Sequence, residues 1–308
     1  MNPPAPPRVL VTGSAGFLGW HLARLLAARG GEVLGTVYRR RPAEAPFPVR
    51  LLDIRARQAV ASVIGDFRPR FVVHAAAVIS PAVCSADPVL ARAVNAEGTE
   101  FVATAARAAG AVTIFTSTDR VFDGERGRYR EEDVPRPLGP YGKSKLDGEE
   151  AVRAADPGNI VVRLPLMYGM PSPCHAPFTG WMLESFRGGG TMDLFLDQYR
   201  TPALVDDVAE AVARIVERPP SGGIYHLGGP ERVNRAEFGY AMADICGLDP
   251  GKIRPCLMSE KPGIPPTPRD ASLDSSRAAG FLGFRFRGIR DGLTVLAAAG
   301  VGASAPVN

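Results

Sequence analysis

The sequence predicts a doubly wound parallel α/β sheet, and two observations carry that reading. A short apolar run leads through a glycine-rich turn into an amphipathic helix, and strand and helix then alternate along the first half of the chain. Parallel neighbours joined by helices need right-handed crossovers, which place helices on both faces of the sheet.

Arg8-Val-Leu-Val-Thr12 is the first strand, and Trp20 to Arg29 continues a helix that Gly30-Gly31 closes. Glu32 to Tyr38 reads as the second strand. Gln58 to Phe67 is helical, Phe71 to His74 a strand, Pro88 to Ala109 one long helix and Val112 to Thr116 a strand. A helix carries Tyr141 to about Ala155, and Ile160 to Leu164 is the next strand. After Tyr168-Gly169, prolines and Gly188-Gly-Gly190 break the regularity around one helix near Trp181. Asp206 to Glu217 is a helix with acids suited to its N-terminal dipole. Gly223 to Leu227 returns as a strand, and Arg235 to Gly247 is a helix before the proline-rich connection Pro255 to Pro268. The expected division is a dinucleotide-type domain over 8–169, rejoined by 203–229, with a smaller mixed lobe from 170–202 and 230–300. Residues 1–7 and 301–308 read as disordered tails.

The 308 residues suffice for such a core, and 45% hydrophobic with 22% charged content is ordinary for a globular protein. The net charge of +4 is scattered apart from Arg39-Arg40-Arg41, which argues against nucleic acid as a partner. No apolar run reaches the roughly 20 residues of a spanning helix. The N-terminus lacks signal-peptide regions, and a cytoplasmic location is expected. Cys84, Cys174, Cys246 and Cys256 lie far apart with no metal-ligand spacing, so free thiols and no metal site are expected.

The loop Gly13-Ser14-Ala15-Gly16-Phe17-Leu18-Gly19 lies between strand and helix, where a Rossmann-type fold cradles a pyrophosphate. Helix N-terminal amides supply the positive end for phosphate. The second strand ends in Tyr38-Arg39-Arg40 without an acid, which favours NADP(H), whose 2′-phosphate an arginine meets, over NAD(H). Asp53 and Ile54 are candidates for the adenine edge, and His74-Ala75-Ala76-Ala77 ends a strand with side chains small enough to admit a cofactor.

Tyr141-Gly-Lys-Ser-Lys145 places a phenol and an ammonium on one helix face. The lysine is expected to lower the phenol's pKa. A hydroxyl from another strand, Thr118 or Ser117, would hold a carbonyl oxygen against that phenol, equipment for protonating an alkoxide.

Together, the glycine spacing, Thr118 and Tyr141-x-x-x-Lys145 resemble the extended short-chain dehydrogenase/reductase superfamily over roughly residues 8 to 300. Ser117-Thr-Asp-Arg-Val-Phe-Asp-Gly124, Arg200-Thr-Pro202, Tyr225-His-Leu-Gly-Gly229 and Arg269 to Asp274 look like its dTDP-4-dehydrorhamnose reductase branch. The resemblance implies Thr118 as the orienting hydroxyl, Tyr141 as the acid, and Lys145 as its partner and a holder of the nicotinamide ribose. It also places Asn95 and Leu164 near the cofactor, and Val78, Ser117, Arg120, Leu166 and Arg200 toward the substrate. The implied activity is NAD(P)H-dependent reduction of the 4-keto group of a nucleotide-linked deoxysugar. Alternatives on the same fold are an NAD-dependent epimerase or dehydratase, a reductase of a non-sugar ketone, and a non-catalytic dinucleotide-binding regulatory subunit. Superfamily relatives often pair through the long helices, so the resemblance allows a homodimer, while the sequence itself does not fix the oligomeric state. Arg120 and Leu166 replace the Tyr and Trp that the branch tends to carry, and both positions are expected near the sugar or its nucleotide.

Overall fold

A computed structural model describes residues 7–188 and 190–300. Of the tails expected over 1–7 and 301–308, residues 1–6 and 301–308 lie outside the described residues, as does Gly189 of the glycine run.

Seven parallel strands form the main sheet: β1 (Arg8–Thr12), β2 (Glu32–Val37), β3 (Val49–Leu51), β4 (Phe71–His74), β5 (Val112–Thr118), β6 (Ile160–Leu164) and β7 (Gly223–His226). Their spatial order is β7-β6-β5-β4-β1-β2-β3, and every pairing is parallel. Chain direction across the sheet reverses between β1 and β4, which opens a crevice at the carboxyl ends of those strands. The strands are continuous apolar runs because helices cover both faces. On one face Val9, Val11, Val73 and Ile114 pack under the helices Phe17–Ala28 and Val205–Glu217. On the other, Leu10, Leu34 and Val72 meet the helices Arg57–Phe67 and Gly98–Ala108.

The long helix expected over Pro88 to Ala109 is present with a defect. It runs as Pro88–Arg92, a π-helical turn Ala93–Glu97, and Gly98–Ala108. Such turns insert one residue into the helical ladder and commonly sit at functional sites. Here the turn contains Asn95, whose side chain is bound outside the helix. Strand β3 was not expected; it is a three-residue edge strand with mostly exposed side chains, too short to show a period.

The later chain builds its own apolar cluster, in which Tyr168, Met182, Phe186, Leu194, Phe238 and Leu293 are buried. Small two-stranded sheets support it: Met192–Phe195 with Ile253–Cys256, and Tyr199–Arg200 with Val233–Asn234. The helix Arg235–Cys246 starts on a capping box formed by Asn234 and Glu237. No described helix is long and apolar enough to cross a membrane. All four cysteines are free.

Candidate active site

A cleft of about 950 Å³ runs along the carboxyl ends of β1, β4, β5 and β6 and continues to the later cluster. At its β1 end the backbone turns through Gly13, whose φ of +68° favours glycine. A Cβ at Gly19 would stand 2.3 Å from Gly13 O, so that position must be bare for helix and turn to pack. The helix Phe17–Ala28 has no side-chain cap, which leaves its first amides to meet an anion. Ala15, Gly16, Phe17 and Leu18 border the cleft beside Gly13 and Gly19. Ser14 does not: it is buried, and its amide and hydroxyl both donate to Thr36 O, at 3.0 and 3.3 Å.

Tyr38, Arg39, Arg40, Asp53 and Ile54 form the next wall. The Arg39 guanidinium lies 4.6 Å from the Tyr38 ring centroid, and Arg55 lies 5.5 Å from it. Both donate to the Tyr38 hydroxyl, at 3.1 and 2.9 Å. Arg55 also chelates Asp53, with Nε 3.0 Å from Oδ1 and Nη2 2.7 Å from Oδ2. The Arg55 hydrogen bonds hold the Asp53 carboxyl below its ordinary value. Asp53 is thereby neutralised, and a pair of guanidiniums brackets the phenol. Sequence reasoning missed Arg55, although it follows Asp53 by two residues.

Ala75, Ala76, Ala77 and Val78 pass along the cleft floor. His74 lies fully buried beneath them, bound to Thr12 Oγ1 at 2.7 Å and Thr99 Oγ1 at 3.0 Å. Burial, assisted by the Lys145 charge, pushes its imidazole down to about 3, so it is neutral at physiological pH. Thr12 Oγ1 accepts the Ala75 and Ala76 amides, both at 3.2 Å, so the histidine braces the floor without reaching the cleft. Asn95 is likewise buried and works as a brace. Its Oδ1 accepts from Val78 N at 2.8 Å, while Nδ2 donates to Val78 O and to Ser144 Oγ, both at 3.0 Å. It fixes the floor against the helix Pro140–Ala155, which carries Tyr141 and Lys145.

Thr118 ends β5 beside the Tyr141 phenol, and its hydroxyl donates to Asp119 Oδ1 at 3.2 Å. The neighbouring Ser117 borders the cleft, but its hydroxyl donates to the buried Glu149 carboxylate. Thr118, rather than Ser117, is therefore the hydroxyl that meets the phenol. Burial pushes Tyr141 up to about 12, against the Thr118 hydrogen bond and the Arg120 charge, which lower it. The lowering expected from the lysine is not found; removal from water, which penalises the phenolate, dominates. Lys145 is 2% exposed, with Nζ 4.0 Å from the Phe115 ring centroid. Burial pushes it down to about 7 against the opposing charge of Glu149. At neutral pH the phenol carries a proton to give, and the amine beneath it is poised to gain or lose one.

Leu164, Leu166, Arg120 and Arg200 line the far end. Arg200 is buried and stands 3.2 Å from Asp119 Oδ2. Arg235, absent from the sequence reading, joins them from the first turn of its helix. Neither its helical position nor its neighbours in sequence signal that location.

The geometry is matched by likeness to known proteins. The family model "RmlD substrate binding domain" matches residues 7–300. The chain belongs to this family, within the dTDP-4-dehydrorhamnose reductase-like branch of the extended short-chain dehydrogenases/reductases. It is 35% identical over 275 residues to methionine adenosyltransferase 2 subunit beta of Xenopus laevis, covering 88% of this chain and 81% of the relative. It is 31% identical over 292 residues to a probable low-salt glycan biosynthesis reductase of Haloferax volcanii, covering 94% and 97%. The crystal structure of a hypothetical dTDP-4-dehydrorhamnose reductase from Sulfolobus tokodaii superposes with a TM-score of 0.82 at 30% identity, covering 92% of this chain and 98% of that one.

Two outcomes follow from the charges. Arg55→Ala, which removes a guanidinium and also frees Asp53, should weaken NADPH binding by about tenfold or more while sparing NADH. Equal losses for both dinucleotides, measured by fluorescence titration, would contradict the bracketed-phenol reading. Lys145 has a folded-state pKa of about 7 against 10.5 ordinarily, so the folded protein binds fewer protons than the unfolded chain across that window. Its burial therefore costs most below pH 7, and the cost fades as pH rises toward 10.5. Lys145→Met should accordingly melt above the parent in mild acid, with the gap closing in alkali; a pH-independent gap would contradict this.

Proposed function

We propose that the chain is an NADPH-dependent reductase acting on the 4-keto group of a nucleotide-linked deoxysugar. The observation that carries this reading is the Thr118 hydroxyl set beside a protonated, half-buried Tyr141 phenol, with Lys145 on the same helix face. The glycan biosynthesis reductase relative supports a reductase of sugar-linked ketones. In this reading residues 8–169 and 203–229 hold the dinucleotide, and 170–202 with 230–300 hold the substrate.

Gly13 to Gly19 would hold the pyrophosphate and Arg39 with Arg55 the 2′-phosphate; the bound dinucleotide supplies the hydride. Thr118 and Tyr141 hold the carbonyl oxygen by hydrogen bonds and polarise it. As the carbon gains its hydride, the Tyr141 Oη–H bond breaks and its proton passes to the developing alkoxide. The phenolate left behind is stabilised by the Lys145 ammonium. His74 and Asn95 hold the floor and the helix in register during these steps.

A second reading is a regulatory subunit that keeps the fold and a bound dinucleotide, favoured by the likeness to methionine adenosyltransferase 2 subunit beta. A scaffold has no use for a phenol paired with a buried amine, and the presence of Thr118, Tyr141 and Lys145 together favours the reductase.

Tyr141→Phe should reduce NADPH consumption with a panel of 4-keto nucleotide sugars by about a hundredfold or more while leaving NADPH affinity nearly unchanged. An undiminished rate would remove Tyr141 from the chemistry. No consumption with any ketone, together with co-purification of a larger catalytic partner, would support the regulatory subunit.

A further inference from the structure

The end of the cleft beyond Thr118 holds more positive charge than the chain itself answers. Arg200 places its Nε 3.2 Å from Asp119 Oδ2, and its Nη1 donates to Tyr199 O at 2.6 Å and Pro268 O at 3.1 Å. Its remaining nitrogen, Nη2, is buried without a hydrogen-bond partner. Arg235 repeats the pattern. Its Nε donates to Gln198 Oε1 at 2.5 Å, its guanidinium lies 4.7 Å from the Phe178 ring centroid, and its Nη1 is buried and unpartnered. Arg120 lines the same end, whereas Asp270 is engaged by Arg232 at 2.6 Å. Burial and the charges of Arg200 and Arg120 push Arg235 down to about 9. Buried donors without acceptors are unfavourable, and a ligand oxygen at each would relieve them.

Building on the reductase reading, and replacing its deoxysugar with an acidic sugar, we propose that the substrate carries a carboxylate on a carbon next to its ketone, as in a keto-uronate. Arg200 Nη2 and Arg235 Nη1 each donate to one carboxylate oxygen. Position argues for this placement. Asp119, the partner of Arg200, directly follows Thr118, whose hydroxyl meets the phenol, so the anion site adjoins the reacting carbonyl. Stoichiometry argues for a carboxylate. One open nitrogen on each of two arginines matches two oxygens. A diphosphate would bring further oxygens against Leu166, Pro177 and Phe178, which line this part of the cleft and offer no side-chain donors.

The test is calorimetric titration of the full chain, saturated with NADP+, with UDP-glucuronate, UDP-glucose, free glucuronate and free glucose. Each uronate should bind at least about tenfold more tightly than its neutral counterpart. Arg235→Gln should erase that margin and leave UDP-glucose affinity unchanged, while Arg235→Lys, which keeps the charge, narrows it. Uronates binding no more tightly than the neutral sugars would overturn the proposal. So would an Arg235→Gln loss equal for UDP-glucose and UDP-glucuronate, which assigns the arginine to the diphosphate. Binding needs no turnover, and Tyr141→Phe should retain the margin, so failure here is separable from failure of the reductase reading.

Discussion

Glu149 is the side chain on which the reactive geometry depends. It lies one helical turn beyond Lys145, buried, and receives Ser117 from β5 and Arg163 from β6. Arg163 places Nε 3.0 Å from one carboxylate oxygen and Nη2 2.7 Å from the other, a two-point grip between side chains only 2–3% exposed. Its Nη1 reaches His226 of β7 at 3.4 Å, and the His226 amide donates to Glu131. One carboxylate thus pins the helix Pro140–Ala155 to the strand ends that carry Thr118 and Leu164. Losing one partner of such a pair generally costs about 3–5 kcal/mol, because the other charge stays buried and unanswered. The phenol and the amine inherit their places from this clamp.

The clamp also sets the electrostatics of the site. The charge of Glu149 opposes the burial of Lys145, so that the amine titrates at about 7 and keeps part of its charge at neutral pH. The histidines nearby take the opposite course. His74 and His226 are each pushed down to about 3, chiefly by burial, and serve as neutral hydrogen-bonding struts. Charge is thereby concentrated along the cleft: at Lys145, at the guanidiniums around Tyr38, and at the arginines beyond Thr118.

Much of this was legible in the sequence because it rests on local pattern. Gly13 to Gly19 sits between a periodic strand and a periodic helix, and Tyr141 and Lys145 share a face by spacing alone. What stayed hidden depends on long-range packing. Ser117 and Thr118 are adjacent hydroxyls, and only the position of Glu149, which takes the Ser117 hydroxyl, leaves Thr118 as the one beside the phenol. Ser14, His74 and Asn95 were expected along the cofactor path, yet their side chains brace the backbone behind it. Arg235 lies 115 positions beyond Arg120, and nothing short of the folded chain brings their charges together. The π-helical turn at Asn95 reads in sequence as ordinary helix, since its cause is a contact with Val78 from another segment.

In the proposed reaction Thr118, Tyr141 and Lys145 act together on a ketone held in this cleft. NADPH deuterated at the reactive C4 position, mixed with the full chain and a 4-keto nucleotide sugar, tests it directly by NMR of the sugar product. Deuterium should appear on the former carbonyl carbon in a single configuration, because the phenol and the Thr118 hydroxyl hold only one face toward the donor. Deuterium retained entirely on the dinucleotide, across a full set of 4-keto sugars, would contradict it.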